Sequence, residues 1–166
     1  MNRRLPFDPV AEARGQWVRH GWGAAAGGMA AVTSLMPAPQ IVSARVEEVL
    51  RPFGLTFARY EVLMLLLLSR RGSLPMARIG ERLQVHPASV TNAVDRLEGQ
   101  GLVRRVPHPT DRRTTLVELT DDGREAAGKA TEELNASVFA APGLPPPDVE
   151  QLVGVLTDLR REAGDF

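Results

Sequence analysis

The stretch "LPMARIGERLQVHPASVTNAVDRLEGQGLV", Leu74 to Val103, restricts the fold of this chain more than any other. Pro75 can occupy the first turn of a short helix that puts Ile79 and Leu83 on one side. A tight turn, "QVH", follows. Pro87 then stands where a second helix would begin, since a first turn leaves its N–H groups unpaired anyway. Val90, Val94 and Leu97 recur at helical spacing, with Ala93 on the same flank. Ser89, Thr91, Asn92 and Arg96 are left on other faces, and Gly101 closes the segment. Gly80 either admits a close neighbouring helix or is a tolerated surface glycine, at a cost of about 1 kcal/mol relative to alanine. "LVRRV" and "TTLVEL" read as two short strands of a hairpin around the loop "PHPTDRRT", Pro107 to Thr114.

The flanks are helical. A short helix is expected from about Pro9 to His20, broken by "GWGAAAGG" because glycine is costly in a helix interior. An apolar helix then starts near Met29. Pro37 and Pro39 predict a kink or break near 36–39, with helix resuming from Gln40 to Arg51. Ile41, Val42, Val46 and Leu50 share one face of that segment. Thr56 suits the N-cap of a helix from Phe57 to about Ser69, stopped by Gly72. Thr120 caps another from Asp121 to Phe139, with Asp121, Asp122 and Glu125 near its positive end. A last helix, Asp148 to Glu162, carries Val149, Leu152, Val153, Leu156 and Leu159 as an apolar stripe.

This order predicts a winged helix-turn-helix inside a helical dimerisation frame. The fold class is mainly α with a small two- or three-stranded antiparallel β wing. The expected organisation is an N-terminal extension over 1–28 and a dimerisation helix region over 29–55. A DNA-binding lobe follows over 56–120, with its recognition helix at about 87–100 and its wing at about 102–119. Helices over 121–166 complete the dimerisation frame. The two terminal regions have more apolar face than one small domain covers, which predicts a dimer built from both ends.

Composition removes several function classes. There is no cysteine, so disulfide scaffolds, thiol redox sensing and thiolate metal sites are excluded. "MNRRLPFDPV" has no apolar core behind its basic residues, and the apolar run Val62 to Leu68 is too short to span a bilayer. A soluble cytoplasmic protein is the expectation. His20, His86 and His108 lie on three separate elements, so neither a metal site nor a cofactor is expected. The loop's His108, Asp111 and hydroxyls lack a fixed arrangement of nucleophile and base, which argues against an enzyme. His108 is read as an exposed side chain.

Net charge is zero, yet residues 70–114 hold nine arginines against four acids. That excess is either an anion-binding surface or a solvated arginine-rich face. A helix can enter the DNA major groove, offering short polar side chains near its N-terminus to base edges. Ser89, Thr91 and Asn92 supply hydroxyls and an amide, and Arg96 a fork for guanine or phosphate. With Pro87 they form the candidate DNA-facing set of this helix.

"LTFARYEVLMLL", "IGERLQVHPASVTNAVDRLEGQGLVRR" and "PTDRRTTLVELTDDG" together make the run from Leu55 to Gly123 resemble the MarR (multiple antibiotic resistance regulator) family of repressors. With the helical flanks the resemblance covers about four-fifths of the chain. It implies an obligate homodimer on a pseudo-palindromic operator, one recognition helix per subunit in the major groove and a wing in the minor groove. It also implies repression of a nearby gene. Many members bind a small phenolic, acidic or lipophilic effector between the dimer region and the DNA-binding lobe.

The family's Asp-x-Arg wing motif falls on Asp111 and Arg113. The resemblance therefore implies that Arg113 enters the minor groove, whose negative potential attracts arginine, while Asp111 orients it. Arg112 is placed to reach phosphate or the groove wall. Asp95 either braces the wing by pairing with an arginine or is a solvated helix charge. Two features depart from the family pattern: an N-terminal extension of about 28 residues, and Pro37 and Pro39 where a long dimerisation helix belongs. Some members that respond to urate or organic acids carry an extra N-terminal helix with an aromatic residue near the pocket. Trp17, Arg19, His20 and Trp22 either take that part here or pack onto the dimer. The alternative function is a winged-helix protein-interaction module without sequence-specific DNA binding.

Overall fold

A computed structural model describes residues 5–111 and 113–166, and the chain divides into two compact units after Arg45. The first unit is built on helix α1 (Pro9–Arg19) and helix α2 (Gly23–Leu35). Asp8 caps α1 by accepting from the Val10 N–H at 2.9 Å. The chain reverses within His20 to Trp22, where Gly21 takes φ +84°, a conformation that favours glycine. Helix α2 then starts at Gly23, six residues earlier than the glycine content predicts. Ala24–Ala26 are the best of helix formers, and Ala26 is buried, so packing outweighs the glycine cost. The next break is confined to Met36 and Pro37, and helix α3 runs from Ala38 to Leu50. Pro39 falls in its first turn, where the missing N–H costs no hydrogen bond.

The second unit begins at Val46. Val46 and Leu50 at the end of α3 are buried in its core. A 3₁₀ turn, Arg51–Phe53, leads to helix α4 (Phe57–Leu67), capped by the Thr56 hydroxyl accepting from the Arg59 N–H. Strand β1 (Ser73–Pro75), helix α5 (Met76–Leu83) and helix α6 (Pro87–Gly99) come next. Pro75 ends the strand and precedes α5, instead of sitting in the helix's first turn. Its edge position explains this, because an edge strand tolerates a residue with no N–H to donate. Strands β2 (Val103–Pro107) and β3 (Thr115–Leu119) form the hairpin. The sheet order is β1-β3-β2, antiparallel throughout, with Leu74 opposite Val117 and Arg105 opposite Val117 on its other side.

Helix α7 (Asp121–Leu134), a π-helical turn (Asn135–Phe139) and helix α8 (Pro146–Glu162) complete the chain. The Thr120 hydroxyl accepts from the Gly123 N–H at 3.0 Å and donates to the Gly101 carbonyl at 2.8 Å. This locks the start of α7 onto the residue that ends the recognition segment. A Cβ on Gly123 would lie 2.0 Å from the Leu102 carbonyl oxygen, so only glycine fits. Gly80 differs: a Cβ there would meet Val90 at 3.4 Å and the Val85 oxygen at 3.5 Å, near ordinary contact. No tight helix crossing demands it. Leu63, Leu66, Ile79, Val94, Leu97, Val117 and Leu134 are fully buried, so α4–α7 and β3 share one core. Helix α8 buries no residue, and its Leu152, Val153, Val155 and Leu159 are exposed. In the first unit Val32, Met36, Ile41 and Val42 are likewise exposed. Among the described residues no helix is long and apolar enough to cross a membrane.

Candidate nucleic-acid interface

Helix α6 buries Val90, Ala93, Val94 and Leu97 and therefore turns its polar positions outward. Pro87, Ser89, Thr91, Asn92 and Arg96 are all exposed. The structure brings Ser89, Asn92 and Arg96 together with Ala88 along one wall of a groove of ≈ 710 Å³. Thr56, Ala58 and Arg59, at the start of α4, line the groove as well. Pro87 and Thr91 lie outside this groove, and the Thr91 hydroxyl donates to the Pro87 carbonyl at 3.1 Å. Thr91 keeps acceptor lone pairs, but its proton is committed to its own helix.

Arg59 is a site residue that the sequence reading missed. Its Nε donates to the Thr56 hydroxyl at 3.2 Å, which holds the guanidinium at the groove. Arg59 and Arg96 also meet around a second, smaller cavity with Asp95, Gly99 and Gln100. Among the described residues neither arginine is paired with a carboxylate. Two free cations at the mouth of a groove lined by an amide and a hydroxyl make an anion-binding arrangement with hydrogen-bonding selectivity.

Arg78, Arg104 and Arg105 of the basic segment are neutralised. Arg104 forms a two-armed pair with Glu118 across the hairpin, at 3.1 and 3.0 Å. Arg78 pairs with Glu81 at 2.8 Å. Arg105 binds both Asp95 and Glu98 of α6, and its backbone N–H donates to Glu98 at 2.9 Å. Asp95 thus braces the strand at the root of the wing. The backbone N–H of Arg105, then its guanidinium, hold the Glu98 carboxyl below its ordinary value.

At the wing tip Asp111 acts on the backbone. Its carboxylate accepts from the Arg113 N–H at 3.0 Å and the Thr114 hydroxyl at 2.6 Å. The Thr114 hydroxyl and then the Arg113 N–H depress the Asp111 carboxyl. Asp111 therefore shapes the turn that carries Arg113 through its backbone, and the Arg113 side chain is exposed. Arg112 lies outside the described residues. His108 is half-buried, and its Nδ1 accepts from the N–H groups of Thr110 and Asp111 at 3.3 and 3.2 Å. The expectation of an idle, exposed imidazole is corrected. The signal was present in "HPTD", where a ring nitrogen can accept from N–H groups two and three residues on.

The N-terminal candidates form two arrangements. Trp17 meets Trp22 edge-on with ring centroids 5.3 Å apart, and His20 stacks on Trp22 at 5.6 Å. Arg19 pairs with Glu12 at 3.5 Å and lines a groove of ≈ 660 Å³ with Asp8, Arg14 and Val18. Trp17 lines a different groove of ≈ 480 Å³ with Met29 and Val32. These two grooves thus take Arg19 and Trp17 separately. Among the described residues there is also no cluster of three or more metal-ligating side chains.

A three-helix core, a three-stranded wing and a polar, arginine-flanked second helix define a winged helix-turn-helix protein. The MarR family model matches residues 57–115. A solved MarR family transcriptional regulator from Streptomyces coelicolor, Sco5413, is 48% identical and superposes with a TM-score of 0.76, covering 84% of this chain and 97% of that one. Sco3205 from the same organism, solved in complex with DNA, is 26% identical with a TM-score of 0.69 over 80% of this chain and 85% of its own. The HTH-type transcriptional regulator YhbI of Bacillus subtilis is 36% identical over 85 residues, 51% of this chain and 54% of its own. The chain spans about half the length of the curated relatives it matches. The chain belongs to the MarR family of winged helix-turn-helix transcriptional regulators.

Proposed function

We propose that this protein binds a pseudo-palindromic DNA operator as a homodimer and represses a neighbouring gene. Helix α6 enters the major groove and the β2–β3 wing the flanking minor groove. The observation that carries this reading is the convergence of Asn92, Ser89, Arg96 and Arg59 on one groove while Arg104 and Arg105 of β2 are internally paired. Charge that has no partner inside the protein is charge kept for a phosphate backbone or a base edge. Sco3205 is a related fold that binds DNA, which supports the same use here. The exposed apolar side chains of α8, and separately those of α2–α3, are surfaces a second copy would cover. A small aromatic or organic acid fits the release signal, since the α1–α2 unit offers grooves lined by Arg14, Arg19 and Trp17. The protein acts in the cytoplasm, where its operator is.

Selection of bound duplexes from random DNA by the full chain tests this. A pseudo-palindromic consensus whose binding weakens steeply with salt is the expected result. Recovery of no consensus, with a flat salt response, would leave a winged helix used for protein contacts.

A further inference from the structure

Each of the two elements proposed above to meet DNA is folded around an imidazole that accepts hydrogen bonds from the backbone. His86 is the N-cap of α6, and its Nδ1 accepts from the Ala88 N–H at 3.2 Å. His108 does the same work at the wing tip, where its Nδ1 collects the N–H groups of Thr110 and Asp111 and contacts the Thr110 hydroxyl at 3.4 Å. The adjoining backbone closes the turn: the His108 N–H donates to the Thr114 carbonyl, and the Thr114 N–H to the Asp111 carbonyl, both at 3.1 Å. An imidazole can accept at Nδ1 only when its proton sits on Nε2 and the ring is uncharged. His20 behaves otherwise, since its Nδ1 faces the Gln16 carbonyl at 2.8 Å and must donate.

We propose that His86 and His108 are positioning residues for operator recognition, each required as an uncharged Nδ1 acceptor, so that sequence-specific binding is lost on acidification. The inference rests on the operator-binding function proposed above. Serine, threonine, aspartate and asparagine are the usual N-caps, and none of them titrates to a cation at its acceptor atom. A protonated His86 would turn an N–H toward the Ala88 N–H and put a cation at the positive end of α6. A protonated His108 would oppose two N–H donors and release the turn that precedes Arg113.

The charged groups around each ring do not substitute for the lost acceptor. His108 is faced by the Asp111 carboxylate, which Thr114 and Arg113 already engage, while its own N–H meets the Thr114 carbonyl just before β3. Around the α6 start that His86 caps, the last turn of α5 carries the basic Arg82, and the first turn of α6 carries no acid. Phosphate would still attract a protonated ring, so acidification raises non-specific binding while it lowers discrimination. The quantity that reports the effect is therefore the ratio of affinities for two duplexes.

The probes are a duplex selected by the native full chain at pH 8 and a scrambled duplex of equal length, titrated from pH 8 to 5.5 at fixed ionic strength. The native ratio is expected to fall about fivefold or more for each imidazole lost. His86→Ala and His108→Ala should lower the ratio already at pH 8. His86→Asn and His108→Asn, which restore a short uncharged acceptor, should recover it and flatten the pH profile. A native ratio unchanged with pH overturns the proposal, as does a double asparagine variant that follows the native profile. If no duplex is preferred over its scramble at pH 8, operator binding itself fails. If one is preferred and the histidine variants bind it like the native chain at every pH, this inference alone fails.

Discussion

The Asp95 carboxylate accepts from the Arg105 guanidinium at 2.5 Å, joining the exposed side of α6 to strand β2. Glu98, one turn further along the helix, takes the Arg105 backbone N–H and another arm of the same guanidinium. The recognition helix and the root of the wing are thereby held in one fixed relation. The proposed binding across two adjacent grooves needs that relation, because the groove spacing is set by the duplex.

Replacing Arg105 with alanine should loosen the wing more than it destabilises the fold. The carboxylates it binds are substantially exposed, so the expected loss of stability is only about 1 kcal/mol. Operator affinity should fall further, by about tenfold, in an anisotropy titration. Unchanged affinity in a variant with a lowered melting point would reduce the pair to a structural ornament.

The same junction predicts an acid response. Glu98 is held below its ordinary value of 4.5, so it contributes stability at pH above 4.5 that is lost as pH falls below it. Urea midpoints of the native chain should decline through that range, and Glu98→Gln should flatten the decline while lowering the neutral-pH midpoint. Parallel curves for the two proteins would contradict the assignment.

Arg59→Ala and Arg96→Ala should each weaken binding to all duplexes if they contact phosphate, and each should reduce the slope of log affinity against log salt by about one. Arg59 is the sharper test, because no helix-turn-helix pattern points to it. A salt slope equal to the native one would remove it from the interface.

Arg113→Ala should reduce operator affinity by about 1–3 kcal/mol and leave dimer and melting behaviour nearly intact, since its side chain is exposed. Asn92→Ala should instead change which bases are preferred, measured by repeating the selection with the variant. An equal loss on every sequence would make Asn92 a phosphate contact.

Two glycines should behave in opposite ways. Gly123→Ala forces a Cβ onto the Leu102 backbone and should cost about 2–3 kcal/mol or more. Gly80→Ala meets near-ordinary contacts within a helix and should be neutral or stabilising by up to about 1 kcal/mol. Thermal denaturation of both variants checks the contrast; equal losses would refute it.

Much of the second unit was legible in the residues. Thr56 and Thr120 are standard caps, and Val90, Val94 and Leu97 keep helical spacing, so α4, α6 and α7 follow from local chemistry. The early start of α2 was not legible, because glycine propensity was outweighed by the packing that buries Ala26. Strand β1 escaped for a related reason: three residues ending in proline carry no periodicity and become a strand only by pairing with β3.

The site divides along the same line. The sequence alone determined which side chains of α6 face outward and which loop forms the wing tip, since helical period and turn chemistry are local properties. Only the tertiary structure decided which of the many arginines are spent. Arg104 and Arg105 are consumed by Glu118, Asp95 and Glu98, whereas Arg59 is delivered to the recognition groove from a helix remote in sequence. Charge has no address in a sequence until the fold sets the distances that neutralise it, and the same holds for the N–H groups that make His86 and His108 acceptors.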